Sequence, residues 1–241
     1  MSNKINKTAV VVFVKTPGLS PVKTRLANTI GEASAIAFYL LSIEAIKSVL
    51  SRLPIDRFEC FWAVTEQKAL KNPLWRDFTA LYSGNDSPIN ADIGVRMSVI
   101  YHKLEKQYRN VVLLGADCPQ ITGLQIDRAQ SLNQQNNCTV IGPSNDGGFY
   151  LLCSHASISD NCWQNTTWSS PDTLSEFSKH LKTPNMLLNP LTDIDTVQDI
   201  PNACREFAAL VDQGFKLSSQ QQHVFSWLKS CNPSAYAVKN R

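Results

Sequence analysis

Apolar residues along this chain fall into short unbroken runs separated by longer stretches of helical periodicity. Residues 9–14 read Ala-Val-Val-Val-Phe-Val, and Val111-Val-Leu-Leu-Gly-Ala-Asp-Cys-Pro119 opens with a second such run. Runs of this kind suit strands covered on both faces, as in the middle of a parallel sheet. Residues 60–64, 139–143 and 149–153 predict further strands, and residues 80–83 a short one. Residues 31–52 carry apolar side chains at 33, 36, 37, 40, 43, 46 and 50, which predicts one helical face. Residues 94–107 and 123–135 also read as helices. Ser170-Pro171 reads as an N-cap followed by proline at the first helical position, opening a helix to about Leu181. Strands alternating with helices define an α/β fold with a mostly parallel central sheet flanked by helices. No repeat and no long linker interrupts it. Residues 1–200 are therefore read as one domain, and residues 201–241 as a C-terminal helical extension packed on that domain. The extension contains a polar Gln-rich stretch at 218–222, and its last ten residues are expected to be disordered.

Composition changes this picture little. The 241 residues are 43% hydrophobic and 18% charged, enough for a full core without staples. Net charge is +3, too small to argue for nucleic acid or a membrane surface. Neither the N-terminal apolar run nor any other predicts a signal core or a membrane span, so the chain is read as cytoplasmic. Seven cysteines without a Cys-x-x-Cys pair read as reduced thiols rather than a zinc site or disulfide framework, and the four histidines show no metal spacing.

Five segments carry candidate chemistry. Asp117 emerges where the buried run 111–116 ends, and in open α/β sheets ligands bind at the carboxyl ends of the strands. A carboxylate there is placed to hold a divalent cation, or only to cap the turn that follows. The loop Lys15-Thr-Pro-Gly-Leu-Ser-Pro-Val-Lys-Thr-Arg25 follows the first strand. Lys15, Lys23 and Arg25 can surround a polyphosphate, Arg25 in bidentate fashion and Lys23 as a mobile point charge. The alternative is a solvated basic loop. Neither a Gly-x-x-x-x-Gly-Lys-Ser/Thr loop nor a Gly-x-Gly-x-x-Gly motif is present, which disfavours a P-loop and a dinucleotide oxidoreductase. In Asp92-Ile-Gly-Val-Arg-Met97, Asp92 can cap a helix, Gly94 would let a ligand approach its amides, and Arg96 is either a ligand residue or a solvent-facing one. In Gly142-Pro-Ser-Asn-Asp-Gly-Gly-Phe-Tyr150, Asp146 can bind a sugar hydroxyl or help activate an acceptor, with Gly147 and Gly148 in the same tight loop, unless the loop is a plain hairpin turn. In Thr192-Asp-Ile-Asp-Thr196, Asp193 and Asp195 share one side of an extended segment and can join Asp117 around a cation. Thr196 with Asp199 reads alternatively as a capping box, and Pro201 moves the helix start toward Asp199.

Taken in order, the strings Phe13-Val-Lys15-Thr-Pro17, Lys23-Thr-Arg-Leu-Ala27, Gly94-Val-Arg-Met97, Gly115-Ala-Asp-Cys-Pro119, Gly142-Pro143, Asp146-Gly-Gly-Phe-Tyr150, Trp168-Ser-Ser-Pro171 and Asp193-Ile-Asp-Thr196 resemble the DUF2064 proteins. These are glycosyltransferase-A-like transferases of the arsenosugar-biosynthesis type, and the resemblance covers about residues 9–200. It implies a single-domain nucleotide-diphospho-sugar transferase (GT-A-like) fold, shared with enzymes that use NDP-sugars and with nucleotidyltransferases. It further implies that Lys15, Lys23 and Arg25 contact phosphates and that Asp92, Gly94 and Arg96 line the nucleotide pocket. Asp117 would hold Mg²⁺ or Mn²⁺ with Asp195 as second ligand, and Asp146, Gly147 and Gly148 would face the sugar or acceptor. The family loop usually has glycine where Ser20 stands. A Cβ there disfavours positive φ, so phosphate approach is expected to weaken unless Gly18 takes over the turn.

The expected activity is metal-dependent glycosyl transfer from an NDP-sugar to a small acceptor, the usual description of the family. A basic loop directly after the first strand also suits nucleotidyl transfer from an NTP, with pyrophosphate leaving. Ser20 motivates a third reading, a non-catalytic nucleotide-binding protein. Fold alone does not separate them.

Overall fold

The computed structural model describes residues 4–84 and 92–231. The expectation of disorder for the last ten residues falls outside them. Seven strands form one sheet: β1 (Ile5–Val14), β2 (Phe58–Val64), β3 (Thr79–Tyr82), β4 (Tyr108–Leu114), β5 (Thr139–Pro143), β6 (Phe149–Ser154) and β7 (Asn185–Leu187). Their order across the sheet is β3-β2-β1-β4-β6-β5-β7. All pairings are parallel except those of β6, which runs against both β4 and β5. β1, β2, β3, β4, β5 and β7 therefore all end at the same edge of the sheet. The chain winds from β1 outward through β2 to β3, then returns to the other side of β1 as β4. The crevice of such a fold opens at that reversal.

Alternation along β1 sets the layers, because successive side chains point to opposite faces. Val10, Val12 and Val14 pack with Ile43, Ile46 and Val49 of α2 (Glu32–Leu50) and with Ile126 and Ala129 of α4 (Gly123–Asn136). Ala9, Val11 and Phe13 face Met97, Ile100 and Tyr101 of α3 (Ile93–Glu105), with Cys162 and Trp163 of α5 (Asp160–Gln164) and Phe177 of α6 (Thr173–His180). A third cluster joins Leu26 of α1 (Thr24–Ile30) and Phe38 of α2 to Phe207 of α7 (Ile200–Asp212) and Val224 of α8 (Ser219–Ser230). The Gln-rich stretch is the capped start of α8: Ser218 and Gln221 form a capping box, and buried Gln221 donates to the carbonyls of Pro119 and Ile121.

Three expectations need correction. Of the face read from the sequence, Ile43, Ile46 and Leu50 are buried but 33, 36, 37 and 40 are not; Ala35, Phe38, Tyr39, Ser42, Ala45 and Val49 are buried as well. The helix is apolar nearly all round because it is sandwiched between the sheet and α8, so periodicity could not choose a side. For the same reason α2, at 19 residues and mean hydropathy 1.6, is long and apolar enough to cross a membrane by length and composition. Half of that stretch is buried against the rest of the chain, as in a core helix. Finally, α6 starts at Thr173 after Asp172, not at Pro171. The Pro171 segment is instead pressed onto the β5–β6 turn, where Leu174 N donates to Gly147 O at 2.9 Å.

Candidate active site

At the sheet edge a cleft of about 450 Å³ lies between the β1 loop, the end of β4, the β5–β6 turn and the segment after β7. Lys23, Asp117 and Asp195 meet at its centre. The ammonium of Lys23 pairs with Asp117 Oδ1, lies 2.9 Å from Asp195 Oδ1, and donates to Ile194 O at 2.7 Å. Its side chain is only 3% exposed, against 41% for Asp117. Burial alone would lower the Lys23 pKa, but the charges and hydrogen bonds of the two aspartates outweigh it and raise it. Lys23 takes this position from a left-handed backbone, φ 48° and ψ 40°, as the residue preceding α1. That conformation costs a non-glycine residue about 1–2 kcal/mol, strain held by the ion-pair cluster. Arg25 reaches Asp195 Oδ2 at 3.7 Å from the exposed rim.

The β1 loop is braced from three sides. Tyr39 Oη accepts from Lys15 N and donates to Lys15 O, each at 2.9 Å. Glu66 accepts from Thr16 N, and Trp75 Nε1 donates to Thr16 Oγ1 at 3.1 Å. Gly18 adopts φ 81°, whereas Ser20 is not among the residues with positive φ. The expected penalty at Ser20 therefore does not arise, because Gly18 makes the turn.

The acids after β7 are set with equal care. Ile194 N donates to Asp117 O at 3.1 Å, tying the segment to the end of β4. Glu206 of α7 accepts from Thr192 N and Oγ1 and from Gln120 Nε2. Asp199 accepts from the backbone N of Asp195 and Thr196, and α7 begins at Ile200, as Pro201 required. Asp193 accepts from the Cys118 thiol at 2.6 Å. Burial, and then the charge of Asp117, push its carboxyl up to about 7.

Lys15, Lys23, Arg96, Asp117, Asp146, Gly148 and Asp195 all line the cleft. Asp146 is exposed; its Oδ1 accepts from Ser144 Oγ and from Gly148 N, and no described donor meets Oδ2. Arg96 is buried rather than solvent-facing, with its guanidinium 5.7 Å from the Phe13 ring centroid. Burial lowers its pKa, with the charge of Glu66 opposing. Four expected residues stand apart from the lining: Arg25, which reaches Asp195 only from the exposed rim, and Asp92, Gly94 and Gly147. Asp92 precedes α3 without a side-chain cap bond and is exposed. Beside Gly94 the space is filled by Trp168, whose Nε1 lies 1.9 Å from where a Cβ would stand, so glycine admits an indole there and not a ligand. Gly147, φ 92°, is covered by the backbone of Pro171. Tyr39, Trp168 and Ser170 line the cleft without having been singled out from the sequence as site residues. Only the Trp168-Ser-Ser-Pro171 string hinted at the latter pair.

Gly147→Ala is expected to destabilise the protein by about 2–4 kcal/mol, because the new Cβ would stand 2.0 Å from a backbone carbonyl oxygen at a positive φ. A thermal melt should show a fall of at least ~5 °C. A melt unchanged from the parent protein would show that Pro171 is not packed on this turn.

All seven cysteines are free, and no cluster of three or more His, Cys, Asp or Glu forms among the described residues. A divalent cation is nonetheless compatible with the site. Asp117 and Asp195 already converge on one cation, the Lys23 ammonium. Mg²⁺ is commonly held by one or two carboxylates, with water and substrate phosphates completing the shell.

The sheet order, the crevice and the acids at its edge define the nucleotide-diphospho-sugar transferase fold. A protein from Desulfovibrio desulfuricans, provisionally assigned as such a transferase, matches with a TM-score of 0.77 at 22% identity, over 95% of this chain and 97% of that one. The family model of DUF2064, described as uncharacterized proteins conserved in bacteria, matches residues 48–170, and the chain belongs to that family. More distant in fold are a cytidylyltransferase from Leptospira borgpetersenii (TM-score 0.51, 12% identity, 98% of both chains) and a 4-diphosphocytidyl-2C-methyl-D-erythritol synthase from Anaerococcus prevotii (TM-score 0.51, 10% identity, 86% of this chain and 99% of that one). Comparison with the curated proteins yields no match in sequence.

Proposed function

We propose that this protein is a cytoplasmic, divalent-metal-dependent glycosyltransferase that moves a sugar from a nucleotide-sugar to a small acceptor. The observation that carries this reading is the convergence of Asp117 and Asp195 on one cation position, beside a basic loop at the carboxyl edge of the sheet. Charge balance favours a diphosphate diester over a triphosphate. Around the cleft, Lys15, Lys23, Arg25 and Arg96 are opposed by Asp117, Asp146 and Asp195 and by Asp193, whose carboxyl, pushed up to about 7, carries only part of a charge at neutral pH. A doubly ionised NDP-sugar with one divalent cation adds no net charge, whereas an NTP with one cation leaves an excess of negative charge in a partly desolvated site.

Asp117 and Asp195 would hold Mg²⁺ or Mn²⁺, which when bound neutralises the diphosphate as it leaves. Lys15, Lys23 and Arg25 orient the phosphates. Asp146, with one carboxylate oxygen free, takes the proton of the acceptor hydroxyl as that oxygen bonds to the anomeric carbon and the bond to the diphosphate breaks. The basic loop supports a second reading, nucleotidyl transfer with attack on an α-phosphate and loss of pyrophosphate.

Incubation with a panel of NDP-sugars and NTPs, with Mn²⁺ or Mg²⁺, separates the two by product. Release of nucleoside diphosphate from one NDP-sugar is the expected result. Pyrophosphate release from an NTP would move the assignment to nucleotidyl transfer. Binding without release from any donor would mark a non-catalytic nucleotide-binding protein.

A further inference from the structure

The end of the cleft away from Asp117 is lined by a buried cation, Arg96, which the charge of Glu66 supports from beyond ion-pair distance. Arg96 is 6% exposed, and among the described residues no carboxylate lies within ion-pair distance of it. The Ser83 hydroxyl donates to Val64 O at 3.1 Å, which turns its lone pairs toward Arg96 Nε and Nη2, at 3.3 and 3.2 Å. The guanidinium lies 5.7 Å from the Phe13 ring centroid, within cation–π range. Nη1 and the second hydrogen of Nη2 have no hydrogen-bond partner among the described residues, and Arg96 lines the cleft. That leaves donors of a held guanidinium unpaired, among the described residues, at the wall of the cleft.

Its position selects what it meets. Ser83 follows β3, three strands from β4 across the sheet. At ~4.8 Å per strand this is roughly 10–15 Å from the carboxylate end, about the reach of a nucleoside from its phosphate to the far edge of its base. In the preceding reading the phosphates are provided for at the Lys23 end, so the group at Arg96 need not be an anion.

We propose that Arg96 reads the base of the donor, pairing with the adjacent acceptors of cytosine (O2 and N3) or guanine (O6 and N7). Guanidinium is a donor only, so it takes two adjacent acceptors in a bidentate bond. Adenine's N1 and N7 each sit beside its amino donor and its N3 stands alone, and uracil separates its two carbonyls with an N–H, so both lose one of the two bonds. The inference rests on the preceding reading in one respect, that a nucleotide occupies the cleft.

Calorimetric titration with CDP, GDP, UDP and ADP in the presence of Mn²⁺, with pyrophosphate as control, tests it. CDP or GDP should bind on the order of tenfold or more tighter than ADP and UDP, and whichever of the two binds names the base. Arg96→Gln should erase that preference, since an amide's one donor and one acceptor suit adenine, cytosine and uracil alike, while pyrophosphate binding is unchanged. Ser83→Ala, which removes the anchor but keeps the buried charge, should weaken the preference as well and serves if Arg96→Gln does not fold. Equal affinity for all four, a preference for ADP or UDP, or a preference untouched in both variants would overturn the assignment. So would a parallel loss of pyrophosphate binding in Arg96→Gln, which would make Arg96 a phosphate ligand. Nucleotides bound without preference overturn this inference alone, whereas no nucleotide bound removes the transferase reading with it.

Discussion

Asp117→Asn is expected to lower turnover by about a thousandfold or more while the protein stays folded. The substitution keeps the size of the side chain and an oxygen that can accept from Lys23, but removes the charge that would anchor the cation at the diphosphate. Loss of electrostatic stabilisation at a leaving group is worth about 3–4 kcal/mol, two to three powers of ten in rate, and a weakened cation site adds to it. The fold should tolerate the change. The side chain is 41% exposed, and the contact that ties the β4 end to the acidic segment runs through the backbone, from Ile194 N to Asp117 O. Nucleoside diphosphate release, read beside a thermal melt and a Mn²⁺ titration, checks all three parts. Undiminished release from the folded variant would remove Asp117 from the chemistry. Lost release with unchanged Mn²⁺ affinity would place the cation elsewhere.

The parts of this site that were legible in the sequence share a property: each is announced by its immediate neighbours. The run 111–116 followed at once by Asp117 marks a buried strand opening onto a carboxylate, and β4 ends at Leu114 with Asp117 in the cleft. The Asp146-Gly-Gly turn and the alternating acids at 193 and 195 are equally local, whereas the Thr196–Asp199 capping box is not formed: Asp199 is itself the residue before α7 and has no side-chain cap bond. What stayed hidden depends on partners distant in the chain. No local pattern says that Tyr39 will clamp Lys15, or that Glu66 and Trp75 will hold Thr16. Helix α1 carries no side-chain cap, and the left-handed Lys23 at its start is held by Asp117 and Asp195, about a hundred and more residues away. The role of Gly94 was misread for the same reason. A glycine at a helix start suggests close approach, but only the tertiary fold tells that the visitor is Trp168.

That dependence makes Lys23→Met the second large effect, and one with opposite signs in two conditions. In the cation-free protein, Lys23 is what keeps Asp117 and Asp195 together. Removing it leaves two carboxylates facing one another across a space that excludes much of the water. Breaking a buried pair from one side costs about 3–5 kcal/mol. Both acids here are more than a third exposed, so solvent screening reduces the expectation to ~2 kcal/mol, a fall of roughly 4–8 °C in Tm. Some of that is returned because methionine no longer has to be held at φ 48° by an ion pair. A divalent cation should then do for the variant what the ammonium does for the parent. Mn²⁺ is expected to raise the melting temperature of Lys23→Met by several degrees more than that of the parent protein, in which the cation must first displace Lys23 from both carboxylates. The displaced ammonium is the charge proposed to meet the donor phosphates, so the same variant should lose affinity for a nucleoside diphosphate even as it gains affinity for the metal. Equal Mn²⁺ shifts in the two proteins would mean that the cation and Lys23 do not share a site. The charge cluster at the sheet edge would then be structural, with Lys23 its permanent occupant.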